Sequence, residues 1–99
     1  MSGITHVVLV QWTDRADRAA EADGLCQEHL TRIDGVVSVV SGPSVSPEGK
    51  EGAYDWMLVV RFRDRAALEG YLPHEEHQPV ATFIGGAASY VVVFDVDEG

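Results

Sequence analysis

Ile4-Thr5-His6-Val7-Val8-Leu9-Val10-Gln11-Trp12 decides the fold. The stretch is rich in β-branched residues and has no Gly or Pro, so it reads as a strand. Side chains alternate across a strand, which sets Ile4, His6, Val8, Val10 and Trp12 on one face. The opposite face still carries Val7 and Leu9. A strand with one wet face alternates cleanly between apolar and polar residues, and this one is apolar on both sides at its centre. Two later stretches repeat the pattern. In residues 54–62, Trp56, Leu58, Val60 and Phe62 oppose Met57 and Val59, and in residues 89–96, Tyr90, Val92, Phe94 and Val96 oppose Val91 and Val93.

Between these strands the chain reads as helix and loop. Residues 14–33 carry Ala19, Ala22, Cys26, Leu30 and Ile33 at spacings of three and four, the stripe of an amphipathic helix. Gly24 weakens that helix by about 1 kcal/mol relative to Ala, and Asp34-Gly35 supplies a left-handed stop. Residues 36–40 form a second strand. Residues 41–52, with Pro43, Pro47, Gly49 and Gly52, form a loop. Asp64 caps a short helix that runs through Tyr71 and stops at Pro73. Pro79 opens another short helix, 80–84, ended by Gly85-Gly86. The order β-α-β-β-α-β is the ferredoxin-like arrangement of the α+β class, an antiparallel sheet with helices on one face. Helices on one face leave the second apolar face bare. A second copy of the chain is its simplest cover, so we expect a two-fold homodimer with sheets packed face to face.

With 99 residues the chain is expected to be a single domain, residues 1–99. Sixteen Asp and Glu stand against seven Lys and Arg, a formal charge of −9. That balance argues against nucleic acid or an anionic membrane as partner. A lone cysteine, Cys26, forms no internal disulfide and suits a reducing cytoplasm. Met1-Ser2-Gly3 has neither a charged start nor a long apolar run behind it, so no signal peptide is expected, and no apolar run nears the ~20 residues of a membrane span.

Chemistry concentrates in Tyr71-Leu72-Pro73-His74-Glu75-Glu76-His77-Gln78-Pro79, which holds one of three Tyr and two of four His. A proline near each end makes it a shaped loop or broken helix. Imidazoles move protons near neutral pH, and a phenol holds an oxyanion without ionising. His74 and His77 are three apart, where helical zinc pairs are four apart and need a third ligand, so no metal is expected. His74 reads as a rim residue, Glu75 and Glu76 as a solvated face, and His29 as a surface or packing residue. Cys26 has no cationic neighbour to activate it and reads as packing.

The whole pattern resembles the stress-responsive dimeric α/β-barrel family. The resemblance lies in His6 to Val10 on the first strand, Gly35-Val36, Phe62 at the end of the third strand, Ala-Leu-x-x-Tyr-x-x-His-x-x-His from Ala67 to His77, and the closing Phe94-Asp95-Val96. It implies a dimeric barrel. Some members of the family are structural stress proteins. Others are polyketide cyclases similar to olivetolic acid cyclase, which close a ring in a poly-β-keto chain by intramolecular aldol condensation. In those cyclases a Tyr and a His end the second helix and a further His lies on the first strand, positions that fall on Tyr71, His77 and His6. The chain departs from them at Glu75, where a proline often follows the first His, and at Ala22 and Cys26, small where a cyclase carries aromatic walls.

On this reading His77 is the general base, Tyr71 the donor to the oxyanion, and His6 a group that binds a carbonyl or orients the others. No cofactor is required. Val8, Val10, Trp56 and Leu58 on the His6 side, with Cys26 from the helix, are the expected walls of a pocket for an acyl or polyketide-like small molecule. A plainer reading stays open for each group: Tyr71 as an amphipathic packing residue, His6 as a satisfied strand histidine, and the chain as a non-catalytic stress protein. Another small enzyme of the same fold, an isomerase or a cofactor-free oxygenase, also stays open.

Overall fold

A computed structural model of the chain describes residues 2–14 and 18–99. Its elements are β1 (Ile4–Trp12), α1 (Ala19–His29) with a 3-10 turn (Leu30–Arg32), β2 (Val36–Gly42), β3 (Trp56–Phe62), α2 (Arg65–Tyr71), a second 3-10 turn (Glu75–His77), α3 (Gln78–Ala87) and β4 (Ala88–Asp97). The strands form one antiparallel sheet in the order β2-β3-β1-β4. This is the ferredoxin-like α+β arrangement that the element order predicts.

Register follows the two-faced strands. Val8 lies opposite Leu58 on β3 and Val93 on β4, and His6 lies opposite Val60 and Asp95. Along β1 the residues Ile4, His6, Val8, Val10 and Trp12 are buried, and those between them are half-exposed. The core fills the space between this inner face and the helices, with Cys26, Leu30, Trp56, Leu58, Phe62 and Tyr71 at its centre. The outer face has no helix over it. Val40, Tyr90 and Phe94 project there at 63%, 58% and 64% exposure.

Local rules hold at two tight places. Gly35 has φ +91°, and a Cβ there would stand 2.4 Å from the Cβ of Ala67, so only glycine fits between β2 and α2. Asp64 caps α2, its Oδ1 accepting from the Ala67 amide at 2.9 Å. Other boundaries move. Of the long helix expected over 14–33, residues 15–17 lie outside the described residues. The regular helix starts at Ala19 and tightens into a 3-10 turn at Leu30. β2 runs on to Gly42 with a bulge between Val36 and Ser38. The last helix does not end at Ile84. It continues through Gly85 and Gly86 to Ala87, because Val80, Ile84 and Ala87 are buried on one side. That burial outweighs the roughly 1 kcal/mol each glycine costs in a helix.

Candidate active site

Tyr71 is the last residue of α2 and is 1% exposed. Its ring meets Phe62 at 4.8 Å, His6 at 5.5 Å and His77 at 4.4 Å between centroids. Six residues along a straight helix would set Tyr71 and His77 about 120° apart. The break at Pro73 prevents that. The His74 amide donates to the Tyr71 carbonyl at 3.1 Å and the His77 amide to the His74 carbonyl at 3.0 Å, folding the chain back so that the two rings meet.

Hydrogen bonds assign the protons. His77 Nδ1 lies 3.0 Å from the Leu72 carbonyl, which only accepts. Nδ1 therefore carries the proton and Nε2 keeps its lone pair. Burial holds the His77 pKa below the ordinary imidazole value, the Leu72 carbonyl pulls it partly back, and positive charge on His6 lowers it further. His77 is thus neutral at pH 7 and able to take a proton. Burial, with negative charge at Cys26 and Asp95, pushes the Tyr71 phenol well above its ordinary range. It stays protonated and can only donate or accept a hydrogen bond. Among the described residues no group of the chain takes its hydroxyl, although buried tyrosines usually find a partner.

His6 is 4% exposed, and its Nδ1 stands 2.5 Å from Asp95 Oδ1. An ionised carboxylate accepts, so His6 donates to it from Nδ1. In the sequence Asp95 belongs only to the closing Phe94-Asp95-Val96 and carries no role in the site. Its signal was the register: an antiparallel β4 that pairs Val8 with Val93 puts Asp95 beside His6 on the inner face.

These rings border a cavity of about 260 Å³ between α3 and the inner face of β1 and β4. His6, Tyr71 and His77 form its polar end, and Val80, Ile84, Val91 and Val93 its apolar walls. Of the expected walls, Val8 and Leu58 line it, and the other three do not. Val10 and Cys26 are fully buried in the core, and burial with the Asp23 carboxylate pushes the Cys26 thiol up to about 12. Trp56 donates from Nε1 to Asp23 Oδ1 at 2.9 Å and borders a separate hollow of about 560 Å³ beneath the 42–54 loop. The strand parity is right for Val10 and Trp56, but Val10 is sealed in the core and the Trp56 indole is turned to Asp23 on α1. Glu76 is not on a solvated face either: its carboxylate pairs with His29. Among the described residues no three His, Cys, Asp or Glu side chains gather as metal ligands.

Residues 4–98 match the model of the stress responsive A/B barrel domain. The chain belongs to this family. Solved structures with the same fold include a dimeric ferredoxin-like protein of unknown function from Jannaschia sp. CCS1, 23% identical, with a TM-score of 0.82 over 95% of this chain and 97% of that one. A stress-responsive barrel protein with a ferredoxin-like fold from Mesorhizobium loti is 21% identical, with a TM-score of 0.74 over 97% and 96%. The hydroxynitrile lyase of Passiflora edulis is 14% identical, with a TM-score of 0.79 over 98% and 94%. At these identities the likeness is one of fold. The fold of this stress-responsive barrel protein is therefore shared by an enzyme and by proteins of unknown function. No curated protein matches the chain in sequence.

Proposed function

We propose that this stress-responsive barrel protein is a cofactor-independent acid–base enzyme of the polyketide cyclase type, closing a ring in a compact poly-β-keto substrate by intramolecular aldol condensation. One observation carries the reading. A neutral imidazole with a free Nε2 lies against a protonated phenol at the polar end of an apolar cavity. His77 Nε2 takes a proton from the methylene between two carbonyls. The enolate oxygen receives the Tyr71 O–H, and the carbanion adds to a second ketone of the same chain. The His77 imidazolium returns its proton to the new alkoxide, and loss of water completes the ring. His6, held by Asp95, binds a substrate oxygen or orients the other two groups. Turnover of a synthetic poly-β-ketone by the wild type and by His77→Ala tests this; equal rates remove His77 from the mechanism.

A second reading draws on the cavity volume and on the Passiflora edulis neighbour. About 260 Å³ lies below the ~300–1,000 Å³ of sites for drug-sized ligands. The same base and donor would serve cyanohydrin cleavage, with His77 taking the hydroxyl proton as cyanide leaves. Release of cyanide from an aromatic cyanohydrin separates the two reactions.

The working unit we propose is a homodimer with the outer sheet faces in contact. The exposed Val40, Tyr90 and Phe94 support it, as do the solved structures described as dimeric. The free, buried Cys26 suits a reducing compartment such as the cytoplasm.

A further inference from the structure

The Glu75–His77 turn carries the imidazole of the proposed site, and its lateral anchor is polar. The Glu76 carboxylate, 26% exposed, faces His29 Nδ1 at 2.8 Å and Arg32 Nη1 at 3.7 Å, both on Oε1. His29 is the last residue of α1 and Arg32 ends the 3-10 turn after it. One carboxylate therefore ties the turn to the C-terminal end of α1. Within the turn, the Glu76 amide donates to His74 Nδ1 at 3.0 Å. On its far side His29 Nε2 stands 3.1 Å from Glu28 Oε2, so both of its ring nitrogens face carboxylates. Glu28, Arg32, His74 and Glu76 are the charged or titratable groups around this imidazole in the described contacts. The signs suit the helix ends, with the Arg32 cation just past α1 and the Glu76 anion ahead of α3. Charge-assisted hydrogen bonds in a half-buried setting are about twice as strong as neutral ones, and a short 3-10 turn has few other means of staying closed.

Whatever fixes Glu76 also fixes the next residue. His77 is pinned on its other side by the Leu72 carbonyl at 3.0 Å and meets the Tyr71 ring at a tilt of 47°. We propose that the His29–Glu76–Arg32 cluster is a clamp that sets the position of the His77 ring, with Glu76 and His29 as positioning residues. Its catalytic consequence rests on the reading of His77 as the base; the placement of the ring can be measured without any substrate.

The measurement is an NMR titration of the His77 imidazole in the wild type, Glu76→Gln and His29→Gln, each shown folded by its amide spectrum. Opening the clamp exposes the ring. Its midpoint then climbs toward the ordinary ~6.5, and the ring-current shift imposed by Tyr71 collapses. Removing an anion near an imidazole acts the other way and lowers its midpoint, so the sign separates release from plain electrostatics. Glu28→Gln removes a carboxylate that meets His29 on Nε2, away from its Nδ1 contact with Glu76, and leaves His77 unchanged. If Glu76→Gln does not fold, Arg32→Gln and His29→Gln carry the test on the ring-current shift alone, because removing a cation raises the midpoint by itself. A midpoint that stays or falls in the clamp variants, with ring shifts intact, overturns the proposal. On a synthetic poly-β-ketone the same variants lose ~10–10²-fold in kcat. If the midpoint climbs while even the wild type turns over no poly-β-ketone, the clamp stands and the enzymatic reading falls.

Discussion

At the scale of single residues, the pH dependence is set by which way each group is pushed. Burial keeps His77 below the ordinary imidazole value and Tyr71 above the ordinary phenol value. Activity that needs a neutral imidazole and an intact phenol therefore rises with pH through a midpoint below ~6.5 and holds a plateau beyond pH ~10. A kcat/KM profile with its acid limb above 6.5, or a loss near pH 9, contradicts that pairing. Asp95→Asn leaves His6 in place but removes the anion that sets its tautomer. We expect a fall in kcat of at least ~10-fold with little change in melting temperature, measured side by side. Tyr71 and His77 were legible in sequence because a proline between them announces a broken helix, and local breaks are local information. Asp95 was not, since it meets His6 across 89 positions and only through the strand register. Glu76 was hidden for the same reason: among three flanking acids and imidazoles nothing marks the one that reaches α1.

At the scale of elements, short-range rules succeeded where one residue settles the matter. Asp64 and Gly35 are both identifiable from their neighbours, and both sit in the tight junction of β2 with α2. Asp64→Ala should lower stability by about 0.5–2 kcal/mol in chemical denaturation. Gly35→Ala should cost more, about 1–3 kcal/mol or beyond, since it adds backbone strain to a Cβ contact of 2.4 Å. Equal, near-zero losses in both would show that this junction does not hold α2 in place. The glycine rule failed in α3, where tertiary burial of Ile84 and Ala87 carries the helix past Gly85 and Gly86. Val8 and Leu58 line the pocket as expected, while Val10 and Trp56 on the same face do not, for a related reason. Strand parity assigned Val10, Trp56 and Leu58 to one face, but it is silent on how far along that face a helix packs.

At the scale of the whole molecule, the sheet divides two tasks: its inner face holds the proposed site and its outer face is left apolar. The two-faced pattern of β1, β3 and β4 made this division legible before any coordinate. Phe94→Asp, on the outer face at 64% exposure, should shift the protein to monomer in sedimentation at micromolar concentration; a wild type already monomeric there defeats the dimer. The rim of that face is tied by Glu98, which accepts from Thr5 Oγ1 at 2.6 Å and from Arg61 Nε and Nη2 at 2.9 Å each. These bonds lower its pKa from 4.5 to about 2. A depressed carboxylate contributes stability that is full above its unfolded pKa and is lost as pH falls through the folded one. Wild type and Glu98→Gln should therefore differ in denaturant midpoint at pH 7 and converge as pH drops from 4.5 toward 2. The central claim, however, belongs to the inner face: the Tyr71–His77 pair moves the proton that starts ring closure. Single-turnover rates on a synthetic poly-β-ketone, for wild type, His77→Ala and Tyr71→Phe, test it most directly. The account predicts a fall of ~10²–10⁴-fold for His77→Ala and a smaller, clear fall for Tyr71→Phe; rates equal to the wild type in both variants contradict it.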